Sequence, residues 1–250
     1  MTQLLILAAA PVGWLDRSSS EVARSVANHW GRAEVVTAGT VDLSTATWSH
    51  RVVDGRASTR IRLRNGTLVD SETVGAVLNR VPTLSPSGFA GSTASDRAYA
   101  DAEQQALFVS FLRGCGSRVV NTVDGHGPLG LWSSLRWAAL AHRCDLETWP
   151  DGLRAGTRLS SRRTTRQAAA VPARQVTVVG PQVFGAASAA QAAKCLRLAE
   201  VSGCELLGTT FGADGRLLAA DPFPPLSGEV SEAVARLLCD RATAVTERAS

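Results

Sequence analysis

At 250 residues, 45% hydrophobic and 19% charged, the chain has the size and composition of a globular protein with a well-buried core. Its net charge of +4 comes almost wholly from arginine, with Lys194 the only lysine, and is too small to demand a nucleic-acid partner. No run approaches the roughly 20 apolar residues of a membrane span, and the N-terminal LLILAAA lacks the basic flank of a signal peptide, so the protein reads as cytoplasmic.

LLILAAA is a short apolar run suited to a buried strand. SSSEVARSVANHW follows with Val22, Val26 and Trp30 on one helical stripe and serines as candidate caps. AEVVTAG is a second strand, and this strand–helix–strand order predicts a parallel sheet with crossover helices. In TRIRLRNGTLVD, Arg60, Arg62 and Arg64 alternate with Ile61 and Leu63 before Asn65–Gly66, which predicts a hairpin with one solvated basic face. VGAVLNRV is another buried strand, ending in the polar pair Asn79–Arg80. SDRAYADAEQQALFVSFLRGCG predicts a long amphipathic helix closed by Gly114, and SRVVN a short strand. After that strand, NTVDGHGPLG (121–130) is polar and glycine-rich, where α/β proteins place ligand sites.

SSLRWAALAHRCDLETWP (133–150) has the outline of a helix and a turn, with Trp137, Leu140 and Ala141 on one stripe. Trp132, Trp137 and Trp149 gather around it as core or interface residues. Residues 151–173 carry Arg154, Arg158, Arg162, Arg163 and Arg166 with one acid and almost no large apolar side chain, and read as a linker or loop. RQVTVVGPQVF predicts a hairpin centred on Gly180–Pro181, and AASAAQAAKCLRLAEVSG a helix closed by Gly203. CELLGTTFGADGRLLAADPFPPL predicts two strands around Ala213–Asp214–Gly215, and a final helix takes Ser231 as its cap. Cys115, Cys144, Cys195, Cys204 and Cys239 form no metal-ligand spacing, as expected of reduced, mostly buried thiols.

In order, these pieces resemble the ATP-grasp ligases that modify ribosomal peptides. The resemblance runs from the first strand through AVLNRV, the helix over Tyr99–Leu112 and VVN, then SSLRWAALAHRCDLETWP, and resumes in RQVTVVGPQVF and LAEVSGCELLGTTFGADGRLLAADPFP. It implies an α/β protein in three parts. Residues 1–130 form a parallel-sheet, pre-ATP-grasp-like domain, 131–173 a linking helix and Arg-rich loop, and 174–250 the remnant of an α+β ATP-grasp catalytic domain. The ATP-clamp subdomain is missing, because 151–173 is too short for it and holds no lysine and no glycine-rich loop.

The family's chemistry is tested at the matching positions. Where its helix opens with a lysine and continues with a glutamine, this chain has Ser134 and Trp137. Where its strand pair supplies Asp, Glu and Asn to Mg²⁺, this chain has Thr210, Ala219 and Asp221. Arg174 stands where the family has a phosphate-binding arginine. The resemblance therefore implies a degenerate ATP-grasp protein with no expected cofactor, which binds a peptide or protein partner in a peptide-modification or natural-product pathway. A homodimer is left open.

Two other readings stay open. In an active ligase or other transferase with a reworked site, ATP and Mg²⁺ would be cofactors, and the candidate ligand-binding residues are Arg80, Asn121, Asp124, His126, Arg174, Asp214 and Asp221. An anion or nucleic-acid binder would use Arg158, Arg162, Arg163 and Arg166, although that segment lacks the interleaved aromatics of such surfaces.

Overall fold

The computed structural model describes residues 2–9, 17–31, 34–84, 91–122, 132–148 and 172–249. The chain forms two compact units. Met1–Leu131 with Pro225–Ser250 make the first, and Trp132–Pro224 the second.

The first unit is built on a parallel sheet of β1 (Gln3–Ala8), β2 (Glu34–Gly39), β6 (Val74–Asn79) and β7 (Val119–Val120), in the order β2-β1-β6-β7. Leu4 to Ala8 are all buried, as a central strand covered on both faces must be. Helix α1 (Arg17–His29) lays Val22 and Val26 on one face, with α6 (Glu229–Ala249) packed beside it. The Leu226 amide donates to the Ser18 hydroxyl at 2.9 Å, which fixes the entry of the returning chain beside α1. On β6, a Cβ on Gly75 would collide with Thr2 Cγ2 and lie 2.9 Å from the Cβ of Ala242, so glycine makes room for both Thr2 and α6.

Helix α3 (Ala94–Cys115) covers a core of Leu5, Leu7, Val36, Val77, Ile61 and Val69 with Phe108, Phe111 and Leu112. Thr93 caps it, accepting from the Asp96 amide at 3.2 Å. The helix ends one residue beyond the predicted stop. Gly116, at φ 58°, is the cap residue, and Gly114 is required instead by packing, since a Cβ there would lie 2.9 Å from the Ala57 carbonyl oxygen.

The predicted basic hairpin is part of a three-stranded antiparallel sheet, β3 (Thr47–Val53), β4 (Arg56–Arg62) and β5 (Leu68–Asp70). Its first turn, Asp54–Gly55, has φ of 51° and 73°, the pair of positive values that a tight hairpin of this hand needs. Between β2 and β3 lies the short helix α2 (Thr40–Thr45), whose Leu43 carbonyl accepts from Trp48 Nε1 at 2.8 Å. Trp48 meets Phe111 edge-on, with ring centroids 6.1 Å apart, and so seats the small sheet on α3.

The second unit holds an antiparallel sheet in the order β11-β10-β8-β9, made of β8 (Pro172–Val179), β9 (Gln182–Gly185), β10 (Leu206–Gly212) and β11 (Leu217–Asp221). Helix α5 (Ala189–Ser202) begins on its Ser188 cap and closes at Gly203, at φ 67°. It buries Cys195 and Leu198, with Cys195 Sγ 3.6 Å from the Thr209 hydroxyl of β10. Helix α4 (Ser134–Arg143) is capped by Ser133, and the chain turns at Cys144–Asp145, with Asp145 at φ 56°, before Thr148 bridges Leu217 in parallel.

The parallel N-terminal sheet and the antiparallel α+β block that follows are the expected fold class. The last helix departs from the expected grouping, because residues 225–250 pack with the first unit. Its start also differs: α6 opens at Glu229, so Ser231 lies inside the first turn, buried, and does not cap the helix. All five cysteines are free thiols, four of them buried. Among the described residues, no helix is long and apolar enough to cross a membrane.

Candidate functional site

The candidate residues separate into one group per unit. In the first unit, Arg80 and Asn121 directly follow β6 and β7, neighbouring parallel strands whose pairs Val77–Val119 and Leu78–Val120 bring these ends side by side. Arg80 donates its backbone amide to the Leu7 carbonyl at 2.9 Å, and Asn79 Oδ1 accepts from the Val81 amide at 2.9 Å. Arg80 and Asn121 are both buried, and Asn121 sits at φ 59°, a value that Asn tolerates better than most residues. Asp124 and His126 lie outside the described residues, as do Trp149 and Arg154, Arg158, Arg162, Arg163 and Arg166.

In the second unit, the three positions matched to a metal site lie on adjacent strands. Thr210 pairs directly with Ala219, and Asp221 pairs with Gly208, so all three point to one face of the sheet. Gln175 and Thr177 of β8 pair with Thr210 and Gly208 and share that face. Thr209 points the other way, toward Cys195 of α5, and the neighbouring Phe211 is fully buried. The face therefore carries hydroxyls, an amide, a methyl group and one carboxylate. Asp221 Oδ1 already accepts from the Phe223 amide at 2.8 Å, in a local turn. One carboxylate is a thin donor set for Mg²⁺ on a triphosphate, and the described residues hold no group of three or more acidic, His or Cys side chains that could take a metal.

Arg174 and Asp214 do not join Asp221. Arg174 pairs with Phe211, which places its Cβ on the face away from Thr210. Its Nη2 comes within 3.8 Å of where a Cβ on Gly215 would stand, at the β10–β11 turn. Asp214 belongs to that turn, accepting from the Arg216 amide at 3.1 Å. Arg216 was not among the sequence candidates, yet its Nε lies 3.6 Å from Glu147 Oε2 and 3.8 Å from Asp214 Oδ2. Glu147 arrives there only through the parallel bridge after α4, a pairing that no local pattern announces.

At the start of α4, Ser134 is exposed and Trp137 buried. The Arg136 guanidinium lies 3.5 Å above the centroid of Trp132, and Trp137 packs 5.1 Å from it on centroids. The positions of the expected lysine and glutamine are thus occupied by a capped helix start and an aromatic stack. Lys194, the one lysine of the sequence, donates to the Asp145 carbonyl at 2.6 Å and ties α5 to the end of α4.

No family model and no curated protein matches the sequence. Solved structures do match over nearly its whole length. Macrocyclase MdnC from Microcystis aeruginosa MRC, bound with precursor peptide MdnA, is 12% identical with a TM-score of 0.72, over 96% of this chain and 100% of that one. A RiPP-associated ATP-grasp ligase from Chryseobacterium gregarium, in complex with ADP and a leader and core peptide, is 13% identical with a TM-score of 0.66, over 96% and 97%. The ATP-grasp ligase PsnB, complexed with minimal precursor, Mg and ADP, is 14% identical with a TM-score of 0.63, over 96% and 98%. Likeness at these identities speaks for architecture, and by that measure the chain has an ATP-grasp-like fold.

Proposed function

We propose that the chain is a catalytically degenerate ATP-grasp-like protein that binds a peptide or protein partner in a peptide-modification pathway and does not turn over ATP. The observation that carries this reading is the shared face of β10 and β11, where Thr210 stands opposite Ala219 and Asp221 is the one carboxylate. Phosphoryl transfer requires its developing charge to be neutralised by metal and cations. A threonine, a methyl group and a carboxylate engaged with the Phe223 amide supply little of that. The stack of Arg136, Trp132 and Trp137 supports the same reading, and so does the short interval 151–173, which leaves little room for a clamp.

The peptide half of the proposal rests on the similar structures, two of which are complexes with precursor peptides and one with a leader and core peptide. Calorimetry with ATP and Mg²⁺ should give no binding heat at millimolar ligand, and micromolar binding would sink the reading. The second reading, a ligase with a reworked site, takes its support from the ADP in two of those complexes. Its signature is ATP-dependent loss of water from a peptide, read by mass spectrometry.

A further inference from the structure

Among the described residues, strand β3 is a sheet edge left open to pairing. It pairs with β4 on one side, and no described strand lies on the other. Its seven residues hold an unbroken register, from Thr47 opposite Arg62 to Val53 opposite Arg56. Natural edges are commonly blunted by charge, proline, a bulge or extreme shortness; TWSHRVV has no proline and no bulge, and its one formal charge, Arg51, guards against like-charged partners only. Val52 and Val53 are 61% and 52% exposed at its tip. Unpaired backbone beside exposed β-branched side chains is the surface that an added strand recognises.

The strand is also held firmly from beneath. Trp48 packs on Phe111, and His50 lies with Nδ1 2.7 Å from the Thr59 hydroxyl and Nε2 3.3 Å from the Ser110 hydroxyl of α3. An edge fixed in this way has little ordering entropy left to lose when a partner pairs with it.

Charge narrows the partner. Register places Thr47, Ser49, Arg51 and Val53 on the outer face, in line with Arg60 and Arg62 of β4. Arg51, Arg60 and Arg62 are all exposed. Asp70, which shares this face through β5, is engaged by Arg60 at 2.7 Å, so positive charge is in surplus. Arg60 is turned toward β5 by Asp70, but only the small side chain of Thr47 separates Arg62 from the edge, which leaves Arg51 and Arg62 facing a strand about 4.8 Å beyond β3. A second copy of β3 would bring its own arginines to the same face, and like charge opposes that pairing.

The geometry points to β3 as the docking edge for an extended acidic peptide. The peptide adds as a fourth strand, with alternate acidic side chains toward Arg51 and its neighbours and the intervening apolar ones beside Val52. This deepens the proposed function by placing the partner, and it rests on that reading only in taking the partner to be a peptide.

The test uses the full chain and a short fluorescein-labelled peptide of alternating glutamate and valine, followed by anisotropy. The peptide should bind, and its lysine–valine counterpart should bind at least about tenfold more weakly. N-methylation of the odd or of the even residues should abolish binding for one of the two sets, because one set of amides faces β3. These comparisons use the unaltered protein, so they stand whether or not a variant folds. The exposed double variant R51E/R62E should weaken the glutamate–valine peptide by at least about tenfold. Equal binding of the lysine–valine peptide, indifference to both methylation patterns, or tighter binding of a labelled single-stranded oligonucleotide overturns the proposal. So does sedimentation that shows a dimer broken by Val52→Glu. Partner capture by R51E/R62E equal to that of the unaltered protein refutes the β3 site alone, whereas ATP turnover refutes the proposed function alone.

Discussion

Arg241, in the last helix, donates a 2.8 Å hydrogen bond to the carbonyl of Val119, the first residue of β7, and a second to the carbonyl of Ser117. A cation of α6 thus caps the chain just where it enters the edge of the parallel sheet. Arg241→Ala leaves those two carbonyls without this donor, and hydrogen bonds to charged groups contribute about 1.5–3 kcal/mol each. The variant should lose about 2 kcal/mol in urea denaturation, and Arg241→Lys should keep part of that. A change below about 0.5 kcal/mol would show that the clasp contributes little.

Gly75 and Ala242 set the spacing between β6 and α6. Gly75→Ala drives a methyl group against Thr2 Cγ2 and to 2.9 Å from the Ala242 Cβ, and overpacking of this kind costs about 1–3 kcal/mol. Adding Ala242→Gly should restore part of the loss. Thermal melts of the two single variants and the double variant measure the coupling, and purely additive effects would rule out this contact as the cause.

The face shared by Thr210, Ala219 and Asp221 makes opposite predictions for loss and for gain. Asp221→Asn should leave stability within about 0.5 kcal/mol, because the amide oxygen can still accept from the Phe223 amide. Asp221→Ala should lose about 1 kcal/mol. The double variant T210D/A219E gathers three carboxylates on one face and should gain divalent-cation affinity, read by calorimetry with Mn²⁺. Absence of any gain would mean that the three side chains do not converge.

Burial pushes the thiol of Cys115 up to about 12, and those of Cys204 and Cys239 up to about 11, from an ordinary value of 9.0. The folded chain then keeps protons that the unfolded chain gives up between pH 9 and those values, so stability should fall as pH rises through that window. Cys204→Ala should flatten the decline, measured as urea midpoints from pH 8 upward. At pH 8, the half-buried Cys239 should react with a thiol reagent before the buried Cys115 and Cys204, and all five should react on unfolding.

Local pattern made much of the architecture legible. The Val22–Val26 stripe, the Asn65–Gly66 turn and the Gly203 stop each follow from rules that span a few residues. Strand β3 has a local signal too, since Asp54–Gly55 between Val52–Val53 and Ala57–Ser58 is a hairpin turn, but the arginine alternation after Thr59 points to the second hairpin alone. The docking of α6 had no such signal, for Leu226 finds Ser18 across 208 positions of sequence. The pairing of Thr210 with Ala219 follows from the turn at 213–215. The face taken by Arg174 does not, because it depends on which residues of β8 and β10 pair, and the register slips next to that pair, between Phe211 and Gly212.

The return of residues 225–250 to the first unit makes the second unit an insertion within the first. On the ribosome, the strands of the first unit emerge early and then wait for their covering helix, while residues 132–224 are made in full. The inserted unit therefore has every part it needs before the host unit does. A chain released short of α6 would present the α6-facing side of its parallel sheet to solvent, including the surface around Gly75. Quality control would then read a fault at the C-terminus as an open core at the N-terminus.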